Sequence, residues 1–361
     1  MRLFLVILIF SSLTLNCEAS VDDTLPKGIS SRFLVFPFLI RSPETSWGFG
    51  GAGAFFFKAK KNEDHLRTSD INLVSLYTLR EQFVLVLGST VFFPGEKEIL
   101  RLQSSYSYYP DKFWGIGNST LRSDEEEYRL KQTFFNPQFI FKLYRKYYAG
   151  INLELQDVSD FHYKAGGVFD AQSVAGRNGG FTSGVGLLLT WDTRNNAYSP
   201  SDGGFAEFNV TSYTGKIGSN FNFTSYIIDL RKFVSLGRNR VLGGQAYTRM
   251  NSGPAPLRYL SMIGGTELMR GYYKGRYSDQ DMIAFQTEIR QYLFWRFGVA
   301  AFVSAGQVAG TVHAYGIDKF HYAYGGGLRI MLHEKEKLNL RIDFGFGEHS
   351  HGVYVILKEA F

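Results

Sequence analysis

The sequence predicts an all-β protein: a sixteen-stranded antiparallel transmembrane β-barrel with an inward-folded loop between its eleventh and twelfth strands. Three observations carry this. Apolar and polar residues alternate with period two along almost the whole chain. The alternating stretches reach the length a tilted strand needs to cross a bilayer, about 9–11 residues. Charges recur on the face opposite the apolar one, which suits a water-filled lumen with lipid outside.

The N-terminus comes first. Met1-Arg2 is followed by the apolar run Leu3 to Phe10 and then by polar residues. One positive charge, a short apolar core and a small-residue exit predict a secretory signal peptide over 1–19, cleaved after Ala19. The run is shorter than the roughly 20 residues of a membrane-spanning helix. A second reading makes Cys17 a lipidated N-terminus, because Leu13 to Cys17 loosely resembles a lipobox, although Asn16 is a poor residue before such a cysteine. A short periplasmic segment is expected over 20–31, and one barrel domain over 32–361. Cys17 is the single cysteine, so the cleaved chain has no disulfide, thiol chemistry or Cys-ligated metal.

Sixteen strand segments follow, at about 32–41, 47–60, 69–79, 82–94, 99–109, 127–144, 147–158, 180–193, 203–214, 219–234, 240–250, 282–294, 296–309, 320–333, 337–348 and 352–361. The clearest runs from Leu338 to Gly347. Leu338, Leu340, Ile342, Phe344 and Phe346 take one face, and Asn339, Arg341, Asp343, Gly345 and Gly347 the other. Ile151, Leu153 and Leu155 stand opposite Asn152, Glu154 and Gln156 in the same way. Around Ile283, Phe285 and Ile289 the second face carries Gln286, Glu288 and Arg290. An even strand count closes an antiparallel barrel without free edges. A mean hydropathy of −0.12 does not contradict this, since alternating strands average to neutral.

The connections alternate. Links near Arg145-Lys146, Leu236 to Asn239, Trp295 and Glu334 to Glu336 are tight, and those near 110–126, 159–179 and 251–281 are long. Outer-membrane barrels have short periplasmic turns and longer external loops, so both termini are expected in the periplasm and the chain in the outer membrane of a Gram-negative bacterium.

Several motifs together resemble the BamA/TamA family of outer-membrane proteins, also called the bacterial surface antigen family. Trp191-Asp192-Thr193-Arg194-Asn195-Asn196, with Pro200 and Gly203-Gly204 after it, resembles a turn between middle strands. Gly264-Gly265 followed by Met269-Arg270-Gly271-Tyr272 resembles the family's loop between the eleventh and twelfth strands. Glu288-Ile289-Arg290, Phe302 to Gly306 and Gly325 to Arg329 resemble the next three strands, and Phe113 to Asn118 is also similar to such barrels. The resemblance covers about half of the chain by motif and the rest by strand pattern.

The resemblance implies that the loop carrying Arg270 folds into the lumen and meets the inner wall. A guanidinium there requires a fork-matched acceptor. Glu288 on the polar face of the next strand is the expected partner, with Ser304 adding a hydroxyl. The family usually has an Asp at the position of Ser304, so one of two carboxylates is replaced. The bland alternative leaves Arg270 solvated in an exposed loop. The resemblance also implies a role in inserting, assembling or translocating outer-membrane or surface proteins. Family members with that role usually carry POTRA domains before the barrel, and no room for one is expected here, which puts client capture by this chain alone in doubt. The alternatives are a plugged pore for small solutes or lipids and a structural barrel scaffolding lipoproteins. Expected partners are outer-membrane lipids, client outer-membrane proteins, and a POTRA-bearing barrel or lipoproteins.

A possible lateral seam joins the first and last strands. Pro37 lacks a ladder donor, Gly352 weakens the facing strand, and the last strand is expected to close on Phe361. A weak seam suits a gate toward lipid; a tolerated bulge is the competing reading.

Enzymatic readings find little. His65, His162, His313, His321, His333, His349 and His351 fall mostly in loops or turns, none beside a nucleophile motif. His349-Ser350-His351 lacks further fixed ligands, and Asp124 to Glu127 reads as a solvated charge run rather than a Ca²⁺ site. No cofactor is implied. The formal net charge of +6 comes without a basic cluster interleaved with aromatics, so nucleic acid is not an expected partner.

Overall fold

The computed structural model describes residues 32–43, 45–58, 68–334 and 337–361. The expected signal peptide, Cys17 and the segment 20–31 lie outside the described residues. The strands are β1 (Arg32–Ser42), β2 (Ser46–Phe57), β3 (Ser69–Thr78), β4 (Phe83–Phe92), β5 (Glu98–Phe113), β6 (Glu126–Tyr144), β7 (Tyr147–His162), β8 (Gly180–Asp192) and β9 (Gly203–Tyr213). They continue as β10 (Phe223–Ser235), β11 (Arg240–Ser252), the short pair β12 (Ser261–Ile263) and β13 (Tyr277–Asp279), then β14 (Asp281–Phe294), β15 (Phe297–Ala309), β16 (His321–His333), β17 (Leu338–Gly347) and β18 (Ser350–Leu357).

Sixteen of these strands form one antiparallel sheet in chain order, β1 to β11 and then β14 to β18, while β12 and β13 pair only with each other. The sheet is a nearly closed barrel: β1 lies beside β18, but no ladder joins the two among the described residues. The period-two pattern sets the two faces. Ile151, Leu187, Leu189, Phe285, Ile289, Val303, Leu328 and Phe344 are exposed on the outside, while Asn152, Gln156, Gln286, Glu288, Arg290, Arg341 and Asp343 are buried on the inside. Burying the polar face and exposing the apolar one inverts the soluble rule and fits a hydrocarbon surround. Tyr144, Tyr147, Phe294 and Trp295 stand exposed around the tight turns, as an aromatic girdle does at a membrane interface. Arg145 and Trp295 each take a left-handed φ of 48° in those turns, the geometry that lets a two-residue link match strand twist.

Four boundaries differ from the expected ones by four residues. β5 and β7 run on to Phe113 and His162, where the long links begin. β10 starts at Phe223, because residues 215–217 form a 3₁₀ turn capped by Thr214. The last strand does not close on Phe361: β18 ends at Leu357. Lys358 has a left-handed φ of 68°, which breaks the ladder and turns Glu359, Ala360 and Phe361 into the interior, where all three are buried.

Candidate functional site

The long link between β11 and β14 brings Arg270 against the inward-facing side chains of β14 to β17. Arg270 is fully buried. Its Nη2 donates to Glu288 Oε2 and its Nη1 to Asp343 Oδ2, each at 2.6 Å. Phe302 lies beneath, its ring centre 3.5 Å from the guanidinium carbon. The cation is thus held from two edges by carboxylates and on one face by a ring, a geometry that a planar guanidinium fits and an ammonium does not.

The wall is shaped to accept this. Glu288 and Phe302 are paired across β14 and β15, Phe302 and Gly325 across β15 and β16, and Gly325 and Gly345 across β16 and β17. Gly325 leaves the space that the Phe302 ring occupies; a Cβ there would come within 2.5 Å of the ring. At Gly345 the loop backbone lies directly on β17, so a Cβ would meet the Arg270 carbonyl carbon at 2.6 Å. Gly271 is the reciprocal surface. It has φ of +124° and would place a Cβ 2.6 Å from the Phe346 carbonyl carbon, so both its conformation and its contact require glycine.

Further bonds fix the loop on both sides of Arg270. Arg341 Nη2 donates to the Thr266 carbonyl at 2.6 Å, and Gln286 Nε2 to the Glu267 carbonyl at 3.0 Å. The Gly271 amide donates to the Tyr354 hydroxyl at 2.8 Å, and the Ser350 hydroxyl donates to the Gly271 carbonyl at 2.6 Å. Met269 and Tyr272 are buried beside it. Gly264 (φ +102°) and Gly265 (φ +105°) begin the turn that leads into the loop.

Arg270 belongs to a larger ionic cluster. Arg329 donates to Asp343 at 2.6 Å, to Glu288 at 3.3 Å and to Glu359 at 2.8 Å. Arg290 donates to Glu288 at 2.7 Å, and Arg341 to Asp343 at 2.7 Å. Glu359, on the inturned tail, also accepts from Asn339 at 2.7 Å. Arg270, Arg290, Arg329 and Arg341 are four cations; Glu288, Asp343 and Glu359 are three carboxylates. Ion pairs this buried are stable only when every charge is shared and hydrogen-bonded.

The expected residues fall out as follows. Glu288 meets Arg270. Ser304 does not: its hydroxyl donates to the Ala323 carbonyl at 3.3 Å. The register explains the correction, since Ser304 pairs with Gln286 and Phe302 with Glu288, which makes Phe302 the residue of that strand level with Arg270. The second carboxylate comes instead from Asp343 on β17. Its signal was present in the alternation of 338–347, which sets Asp343 on the polar face. Pro37 pairs with Gly51 of β2, at the end of the sheet nearest β18. Gly352 stands at that junction too, where an added Cβ would lie 2.8 Å from Pro43 Cγ. Phe361 is not at the junction. It stacks on Phe233 of β10 with ring centres 6.0 Å apart, and its carbonyl accepts from Arg290 at 3.2 Å. The tail therefore crosses the interior, a feature with no sequence signal beyond an apolar last residue. Among the described residues no group of three His, Cys, Asp or Glu is placed to hold a metal ion.

Residues 50–347 match the Omp85 superfamily domain. Among solved structures, BamA from Haemophilus ducreyi lacking POTRA domains 1–3 aligns with TM-score 0.57 and 10% identity over 91% of this chain and 70% of that one. CdiB from Escherichia coli aligns with TM-score 0.59 and 11% identity, over 92% of this chain and 63% of that one. CdiB from Acinetobacter baumannii aligns with TM-score 0.56 and 14% identity, over 92% and 60%. This chain thus spans less than two thirds of either CdiB. At these identities the likeness is one of fold. No curated protein sequence matches the chain.

Proposed function

We propose, from the premise that this chain belongs to the Omp85 superfamily, that it is an outer-membrane barrel assisting the insertion, assembly or translocation of outer-membrane or surface proteins. The barrel of such a member lies in the bacterial outer membrane. The tight turns and the inturned tail then face the periplasm, and the long links face outward.

The observation that carries the reading is the junction of β1 and β18. The sheet runs without a break through sixteen strands and stops there, with no ladder across it among the described residues. Each free edge offers a row of backbone donors and acceptors, which is a template for a further strand. Pro37 removes one donor from β1. On this reading the junction parts to pair with client strands, and the Arg270 loop keeps the lumen closed meanwhile. Charge neutralisation by Glu288 and Asp343 supports the loop as a fixed plug.

The test is quantitative proteomics of the outer membrane after depletion of the protein. Loss of a defined set of barrels or surface proteins, at unchanged transcript levels, is expected and names the clients. An unchanged proteome overturns the reading.

A further inference from the structure

The outward face of β10, β11 and β14 is apolar along most of its height. Leu230 and Val234 on β10, Leu242 on β11 and Ile289 on β14 are exposed there, as a surface against lipid requires. Near the tight turns four cations interrupt it. Lys232 lies between Leu230 and Val234, on the face opposite the buried Phe233, and is exposed. Arg240 stands two residues from Leu242 on the same face of β11, and it too is exposed, as are Arg238 in the β10–β11 turn and Arg296 in the β14–β15 turn. The two turns adjoin. The Tyr292 amide donates to the Asn239 carbonyl at 2.8 Å, and Arg240 pairs with Gln291 across β11 and β14.

No acid answers these cations on this face. Asp229 turns inward to Arg231 and Glu288 inward to Arg290, while Asp281 stands at the far end of β14 and accepts from the Asn251 amide. The flanking turns supply one exposed acid each, Asp202 and Glu334, so with both counted the four cations remain in excess. The Arg240 Nε donates to Gln291 Oε1 at 2.8 Å, a neutral bond that orients the guanidinium and leaves its charge uncompensated. Arg296 stands over the exposed Trp295, 5.7 Å from its ring centre. Lys232 is level with Gly244 of β11, four residues in from Arg240, which is about 13 Å along the strand. A cation on the lipid face costs more the deeper it sits, and a lysine stem at that depth reaches back toward the interface.

We infer that this sector binds an anionic phospholipid. Arg238, Arg240 and Arg296 hold its phosphate at the rim, Lys232 meets the head from the hydrocarbon side, and the acyl chains lie on the apolar outer face of β10 to β14. A zwitterionic head brings its own ammonium to a face already in positive excess, whereas a head of net negative charge does not. An acidic protein would match the charge but not the place, because Lys232 and Arg240 lie within the apolar band rather than beyond it. The choice of a phospholipid rests on the orientation proposed above, in which the tight turns reach the periplasmic leaflet; binding itself requires no client.

The experiment is native mass spectrometry of the full-length barrel in a neutral maltoside detergent. The probes are dioleoyl phosphatidylglycerol, dioleoyl phosphatidylethanolamine and lipid A, whose phosphates belong to the opposite leaflet. Phosphatidylglycerol should be retained at least about tenfold better than phosphatidylethanolamine. The triple variant Lys232→Gln/Arg240→Gln/Arg296→Gln should lower its retention about tenfold or more. Arg145→Gln/Lys146→Gln, which removes charge from the β6–β7 turn, should leave it unchanged. Equal retention of the two phospholipids leaves the cations to an acidic protein surface and overturns the inference, and equal loss in both variants overturns it by making the attraction one of overall charge. Preference for lipid A overturns the phospholipid assignment through the orientation, while saying nothing against client assembly. Heat-dependent gel mobility reports whether the variants fold. Should they fail to, phosphatidylglycerol with a diazirine near its head decides on the wild-type barrel: labels within 232–240 and 291–297 support the site, and labels confined to other turns overturn it.

Discussion

The guanidinium of Arg270 stands over the ring of Phe302, 3.5 Å from its centre, on the strand whose Ser304 hydroxyl was expected to meet it. The ring offers the cation a polarisable face and leaves both terminal nitrogens for Glu288 and Asp343. Desolvated cation–π contacts contribute about 2 kcal/mol. Phe302→Leu keeps an apolar side chain of similar bulk but loses the face. It should lower barrel stability in chemical denaturation by about 2 kcal/mol, while Phe302→Tyr stays near wild type. Equal loss in both variants would assign the effect to packing.

The charge count of the cluster makes the two ends of the Arg270–Glu288 pair unequal. Removing Arg270 leaves three cations for three carboxylates, while removing Glu288 leaves four cations for two. Uncompensated buried charge costs about 3–5 kcal/mol. Glu288→Gln should therefore destabilise the barrel more than Arg270→Gln does, although the same ion pair is lost in each. Arg270→Gln should instead act locally, loosening the loop and raising single-channel conductance. Hydrogen exchange over 264–273 separates the two cases. A more protected loop in Arg270→Gln than in wild type would contradict this account.

Gly345 tests the loop's seat without touching a charge. A Cβ at this position falls 2.6 Å from the Arg270 carbonyl carbon, and backbone against backbone leaves no flexible side chain to yield. Gly345→Ala should cost about 1–3 kcal/mol, the range for overpacking, and open the lumen as Arg270→Gln does. Gly326→Ala is the control. This position on β16 is more open, the nearest atom to an added Cβ being the Ala300 carbonyl oxygen at 3.2 Å, so its effect should be smaller.

The barrel was legible because its pattern is local. Each strand's alternation states its inward and outward faces, and the turns separate neighbouring strands, so strand order and most boundaries follow from residues close in sequence. Glu288 was readable for the same reason. What was not readable depends on register across several strands. Whether Ser304 or Phe302 stands level with Arg270 is set by a ladder offset of two residues, and two positions two apart on one face look alike in sequence. Asp343 lies 73 residues from Arg270, and no local feature ties them. The inturned tail was missed because a terminal run of apolar residues reads as strand, whereas the turn at Lys358 is imposed by what Glu359 gains from Arg329 and Asn339.

Asp279, on the hairpin strand β13, offers a pH test outside the wall. Burial raises its carboxyl above the usual range, while the Gln280 amide, donating at 2.8 Å, and the nearby Asp281 act in opposite senses. A carboxyl whose folded value is raised prefers its proton in the folded state. Its contribution to stability is present below the ordinary carboxylate pKa and is lost as pH rises through the raised value. Asp279→Asn keeps an acceptor for the Gln280 amide and removes the charge. The variant should match wild type in thermal stability at pH 4 and exceed it at pH 8. A greater benefit at pH 4 would reverse the sign and show that the ionised form is the one the hairpin favours.

The junction of β1 and β18 can be closed covalently. A Cβ at Gly352 lies 2.8 Å from Pro43 Cγ, and disulfides need Cβ atoms about 3.5–4.5 Å apart, so Pro43→Cys with Gly352→Cys has the reach to bridge, in a background where Cys17 is Ser. A Cβ at Gly352 also falls 2.5 Å from the Tyr354 hydroxyl, which accepts from the Gly271 amide, so the reduced double variant is the control that separates the lock from any shift of the plug. If the junction opens to pair with client strands, the oxidised protein should fail to restore the outer-membrane proteome of a depleted strain, and reduction should restore it. Full complementation by the locked form, with the disulfide verified in the membrane, would mean that the unladdered junction is a static seam and that any client work proceeds elsewhere on the barrel.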